Sequence, residues 1–131
     1  MWKRLFKIIN SHGVKYQFGS SPGVGCQDGL FTLKTALQER YNHNLTTFVA
    51  FVDLVKAFNT VDHKLLMKVL ERYEAPPKLK SAISQMYTDL KIVLKIGKVK
   101  AEMNQTVGMR QWYCMAPVLF LFMMMAFAET L

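Results

Sequence analysis

The chain predicts a mixed α/β fold, and three observations carry that expectation. Thr46 to Leu54 is almost wholly β-branched, aromatic or aliphatic, as a strand covered on both faces would be. Leu65, Leu66, Val69, Leu70 and Tyr73 recur at helical spacing, as do Leu79, Ile83, Met86, Tyr87 and Leu90. Lys91 to Lys100 alternates around Gly97, the pattern of two short strands and a turn. A central apolar strand flanked by helices is a layered arrangement. At 131 residues the chain amounts to one domain or less.

The elements follow in order. Met1 to Asn10 is basic but lacks the long apolar stretch and cleavage site of a signal peptide. Gly19-Ser-Ser-Pro-Gly-Val-Gly25 is too rich in glycine for regular structure. Asp28 is placed to cap a helix with Leu30, Leu33, Leu37 and Tyr41 on one face. The apolar strand comes next. Asp62 then caps a second helix, which Pro76-Pro77 ends, and a third begins near Lys78. After the Gly97 hairpin, Pro117 suits the first turn of a last helix. Val118 to Ala128 is apolar throughout, yet far short of the roughly 20 residues of a membrane span, and reads as a buried helix.

Lys and Arg number 17 against 9 acids, a formal charge of +8 that favours an anionic partner, nucleic acid before a membrane surface. A basic surface that merely faces water is the alternative. Lys91, Lys95, Lys98 and Lys100 pose the same choice locally, a solvated rim or a phosphate contact. Cys26 and Cys114 have no metal-ligand spacing and read as reduced thiols of an intracellular protein, nucleus or cytoplasm unresolved.

Alternation along the strand puts Thr47, Val49, Phe51 and Asp53 on one face, with Asp53 at its carboxyl end, where open α/β sheets bind ligands. A carboxylate there can hold a metal ion, but phosphoryl or nucleotidyl transfer needs several around two cations. Asp28 and Asp62 are better used as caps, Asp89 sits near a helix end and Asn59 is neutral. From its position alone, Asp53 is a turn aspartate or a ligand.

Phe51-Val-Asp-Leu-Val-Lys-Ala-Phe-Asn-Thr-Val-Asp-His63 resembles the first catalytic segment of the reverse transcriptases of non-LTR, LINE-type retrotransposons. Gln17-Phe-Gly19, the glycine-rich loop and Asp28 look like that family's fingers segment. Gly108-Met-Arg-Gln111 and Met115-Ala-Pro-Val-Leu-Phe120 look like its next palm segment. The three stand in family order and cover most of residues 16 to 131, which makes 1–131 a partial reverse transcriptase domain by resemblance. The resemblance implies a partial fingers–palm architecture with an incomplete palm sheet, and RNA-directed DNA polymerase as the activity class. It gives Asp53 the role of a metal-ligating catalytic carboxylate, places Phe58 beneath the nucleotide sugar, and sets Arg110 and Gln111 near template and nucleotide. It implies Mg2+ as cofactor, and an RNA template, a DNA primer and deoxynucleoside triphosphates as partners. Core packing is the other reading of Phe58, and a solvated strand-end arginine that of Arg110.

Departures from the family pattern bear on activity. Asn59 stands where the family has aspartate, and Trp112 where it has a glycine that permits close backbone approach. Ser20, Ser21 and Val24 replace basic or basic-flanked fingers residues, and Lys15 and Lys34 are poor substitutes. The family's aromatic-x-aspartate-aspartate hairpin is not among residues 1–131. These departures lead us to expect a truncated reverse transcriptase fragment, inactive as a polymerase by itself. Without that hairpin the central strand becomes an edge, and the Phe120 to Phe127 helix exposes apolar side chains, which favours self-association or chaperone contact. A non-catalytic nucleic-acid-binding protein and a protein-interaction module derived from a retroelement are the alternative functions.

Overall fold

The computed structural model describes residues 1–12, 16–110 and 113–130. Its elements are α1 (Trp2–His12), α2 (Cys26–Asn42), α3 (His63–Arg72), α4 (Pro77–Tyr87), β1 (Lys91–Ile96), β2 (Val99–Asn104) and α5 (Ala116–Ala128). The class is mixed α/β. The chain divides into two compact units, one formed by Met1–His12 with Lys56–Leu131 and the other by Gly13–Val55.

The larger unit holds the core. Its spine is α5, whose sequence has no polar face and whose Val118, Leu119, Leu121, Phe122 and Met125 are buried. Against it pack α1, through Leu5, Phe6 and Ile9, and α3, through Leu66, Val69 and Leu70. Burying each such side chain contributes about 1.5–3 kcal/mol. In turn α4 packs on α3, with Leu79 and Ile83 buried.

The helix ends follow local chemistry. Asp62 caps α3 as expected, its Oδ1 accepting the Leu65 N–H at 2.7 Å. Pro77 opens α4, where its missing N–H has no partner to lose. At the far end, Glu129 closes α5 and is tied back to α3. Its carboxylate accepts from Arg72 Nη2 and from the Tyr73 hydroxyl, both at 2.7 Å.

The hairpin is antiparallel, with Lys91 opposite Asn104 and Ile96 opposite Val99. Gly97 turns it at φ 60°, a left-handed angle that glycine adopts without strain. The Gln105 N–H closes its base onto the Leu90 carbonyl at 2.7 Å. All twelve strand residues are exposed.

In the smaller unit, Phe18 lies against Gly29, where a Cβ would stand 3.1 Å from the ring. The helix α2 starts at Cys26, so Asp28 is one turn inside it rather than at its cap. From there its Oδ2 accepts the Gly25 N–H at 2.8 Å. The expected apolar face of α2 exists but is uncovered. Leu30, Leu33, Leu37 and Tyr41 line a shallow depression instead of a core.

One expectation is corrected. Thr46 to Leu54 forms no strand: its backbone is in no ladder, and Phe48 and Phe51 are 95% and 85% exposed. The reason is backbone pairing. A strand needs a neighbour for its N–H and C=O groups, and among the described residues β1 and β2 pair only with each other. The described tether lies where α2 ends, at Arg40, which donates from Nε to Thr47 Oγ1 at 2.6 Å and from Nη2 to the Thr46 carbonyl at 2.9 Å.

Candidate nucleotide and template site

Two of the three segments that carry the resemblance, 51–63 and 108–120, hold its site residues, and the larger unit brings parts of both together. After Lys56, in a left-handed conformation at φ 51°, the chain makes a tight turn closed by the Asn59 N–H on the Lys56 carbonyl at 2.8 Å. The limb leaving this turn pairs with the loop after β2. Gly108 N–H donates to the Val61 carbonyl at 2.7 Å, Met109 N–H donates to the Phe58 carbonyl at 2.8 Å, and Asp62 and Val107 form an isolated antiparallel bridge.

Gly108 explains why the approach is so close. Its φ is +90°, and a Cβ there would lie 3.0 Å from the Asn59 carbonyl oxygen and 3.3 Å from the Asn59 Cα. Glycine is required on both counts. This gives the Gly108-Met-Arg motif a backbone reason independent of any ligand.

Phe58 stacks on Phe120 of α5, centroids 4.4 Å apart and planes 23° from parallel, while remaining 39% exposed. It is a packed side chain with an accessible surface, so both of its sequence readings survive. Arg110 is exposed, its guanidinium 5.9 Å from the centroid of the Tyr113 ring. The Tyr113 hydroxyl in turn points to Met86 Sδ at 3.3 Å. Gln111, Trp112, Lys15 and Leu131 lie outside the described residues.

Behind the loop sits a pair of rings that sequence reasoning missed. His63, the first residue of α3, places Nε2 2.7 Å from the Gly108 carbonyl oxygen. Its ring lies 4.6 Å from that of Tyr87. The Tyr87 hydroxyl is buried without a partner of good geometry among the described residues. Burial pushes the Tyr87 phenol above its ordinary range, and the Arg110 main chain and positive charge offset only part of that rise. His63 closes the Phe51 to His63 motif, and a histidine directly after a helix cap was the available signal.

Asp53 lies in the smaller unit, exposed and in irregular backbone. Since no strand forms, it does not stand at a sheet's carboxyl edge as the alternation suggested. Among the described residues, no three His, Cys, Asp or Glu side chains are grouped so as to hold a metal. A single exposed carboxylate does not fit a two-cation clamp, so the described side chains by themselves do not make that centre. No described helix is long and apolar enough to cross a membrane.

Comparison with known proteins places these segments in a lineage. The chain is 30% identical over 74 residues to the retrovirus-related Pol polyprotein from type-1 retrotransposable element R2 of Nasonia vitripennis. That stretch is 56% of this chain and spans 7% of the polyprotein's length. No solved structure matches. The family profile described as reverse transcriptase (RNA-dependent DNA polymerase) matches residues 1–131. The chain therefore belongs to the reverse transcriptase family.

Proposed function

We propose that this chain is the fingers and opening part of the palm of a non-LTR retroelement RNA-directed DNA polymerase, able to engage nucleic acid but not to polymerise by itself. The observation that carries the reading is the family match over residues 1–131. Reverse transcriptases bind RNA, DNA and deoxynucleoside triphosphates and use divalent metal ions. For this chain, the partners would be an RNA template, a DNA primer and the triphosphates.

Arg110 and Gln111 would contact template and nucleotide, and Phe58 would lie beneath the sugar. Asp53 would offer Mg2+ one carboxylate, where two-metal chemistry needs several. Asn59, in place of the family's aspartate, cannot add a second charge. The +8 charge supports nucleic-acid engagement. Exposed apolar residues of α2 and of the 46–54 segment support self-association or chaperone contact as an accompanying property.

Primer extension on an RNA template with magnesium tests the catalytic half, and the expected result is no product above a buffer control. Product that disappears in Asp53→Ala would overturn the inactive reading. Salt-sensitive binding of a labelled RNA–DNA primer–template tests the other half, and no binding at low salt would defeat it.

A further inference from the structure

Among the described residues three hydrogen bonds hold Gly108 and Met109, two of them main-chain bonds to Val61 and Phe58. The third is His63, whose Nε2 meets the Gly108 carbonyl at 2.7 Å. A carbonyl oxygen only accepts, so Nε2 must carry the hydrogen and donate. The donor is itself held from two directions. His63 is anchored in the first turn of α3, behind the Asp62 cap, and its ring leans on Tyr87, which is 9% exposed at the end of α4.

The acceptor needs such a hold. Gly108 has no side chain to pack, and glycine is the residue with most backbone freedom to lose. Two residues later comes Arg110, exposed, its guanidinium 5.9 Å from the centroid of the Tyr113 ring and its positive charge felt by the Tyr87 phenol. A long, exposed side chain is aimed by its backbone or not at all. The bond from His63 is the side-chain contact on the Gly108 carbonyl, two residues before the backbone that Arg110 leaves from.

We infer that His63 is a positioning residue: its Nε2–H pins the Gly108 carbonyl and thereby sets the loop that presents Arg110 to the nucleic-acid partner. This deepens the proposed function and rests on its reading of Arg110. His63 does not touch the partner in this role. It acts through Gly108.

Two substitutions separate the hydrogen bond from the packing. His63→Phe keeps a ring against Tyr87 and removes the donor. His63→Gln loses the ring but carries an N–H at a comparable reach. Two readouts on the full chain decide the matter: amide hydrogen exchange, and affinity for a labelled RNA–DNA primer–template.

His63→Phe should speed exchange at Gly108 and Met109 by about tenfold, the scale of one net hydrogen bond, while Leu66 to Leu70 in α3 keep wild-type protection. It should weaken primer–template binding to the level of Arg110→Ala. His63→Gln should restore both. Unchanged exchange in His63→Phe overturns the pin. Faster exchange with wild-type affinity overturns the positioning role while leaving nucleic-acid binding intact. A wild-type chain that binds no primer–template overturns the reading of Arg110 instead, and the exchange data then stand alone as a measure of the bond.

Discussion

Gly108 is the residue where sequence and geometry constrain each other most tightly. Its φ of +90° disfavours any side chain, and a methyl group would press on the Asn59 main chain at 3.0 Å. Gly108→Ala should therefore cost about 2–3 kcal/mol, combining left-handed strain with a backbone clash that cannot rotate away. Urea unfolding measures this, and a loss below about 0.5 kcal/mol would mean that the loop does not hold this conformation. Gly97 has a similar angle at φ +60° but nothing within 4 Å of its missing Cβ, so Gly97→Ala should cost less. Gly97 was legible as a turn from sequence and Gly108 only as part of a family segment, and only the structure ranks them, because the crowding at Gly108 comes from Asn59, about fifty positions away. Asp62 was fully legible, since a helix cap is decided within three residues. Asp53 was not. Its expected place at a sheet edge needed a partner strand that local pattern cannot supply.

At the scale of elements, α3, α4, the hairpin and α5 were readable because each is specified by its own period or by a turn residue. The helix α1 was missed: Leu5, Phe6 and Ile9 carry a helical stripe, but Lys3, Arg4 and Lys7 around them read first as a charged terminus. The apolar 46–54 segment erred in the opposite direction, since apolarity signals burial and not pairing. The hairpin offers the sharpest test at this scale. Lys95 stands directly opposite Lys100, and like charges across a ladder destabilise it. Glu102 relieves Lys100 at 2.6 Å and Lys91 at 3.7 Å, whereas Lys95 and Lys98 have no ion pair among the described residues. A polyanion would relieve the remaining repulsion. Replacing Lys95, Lys98 and Lys100 together by Gln should then flatten the slope of log affinity against log salt by about 2–3 for a labelled primer–template. The same number of changes at Lys3, Lys7 and Lys68, on α1 and α3, should do less. Equal slopes for both triple variants would reduce the hairpin lysines to a solvated rim.

At the scale of the whole molecule, two of the links between distant parts of the sequence in the larger unit can be tested. One is the Glu129 clasp. Burial and the neighbouring carboxylate raise the Tyr73 phenol to about 12, and hydrogen bonds from Tyr73 and Arg72 hold Glu129 below its usual range. A raised folded-state pKa contributes stability that is complete below the unfolded value near 10 and is lost as pH rises toward about 12. The lowered Glu129 value works on the other side, its contribution being present above the model-peptide range and lost on acidification. Tyr73→Phe should therefore lower the melting temperature at neutral pH and flatten the fall in stability between about pH 10 and 12. A parallel curve for the variant would show that the clasp does not form.

The second link is α1 on α5, and it makes an unusual demand of the chain. Residues 1–12 belong to the same unit as 56–131, although the whole smaller unit lies between them in sequence. Phe48 and Phe51 are almost fully exposed in irregular backbone, whereas Phe6 and Phe122 are buried. Limited chymotrypsin should thus cut first at Phe48 or Phe51, since a protease needs extended, accessible chain. The N-terminal product should nonetheless stay with the C-terminal one on a native sizing column, because Leu5, Phe6 and Ile9 are seated in the α5 core without help from the covalent link. Denaturant should separate the two. Adding Leu5→Ala, expected to cost about 2–5 kcal/mol for a fully buried leucine, should release the N-terminal product without denaturant. First cleavage within α3 or α5, or separation of the wild-type products under native conditions, would contradict the division of the chain into these two units.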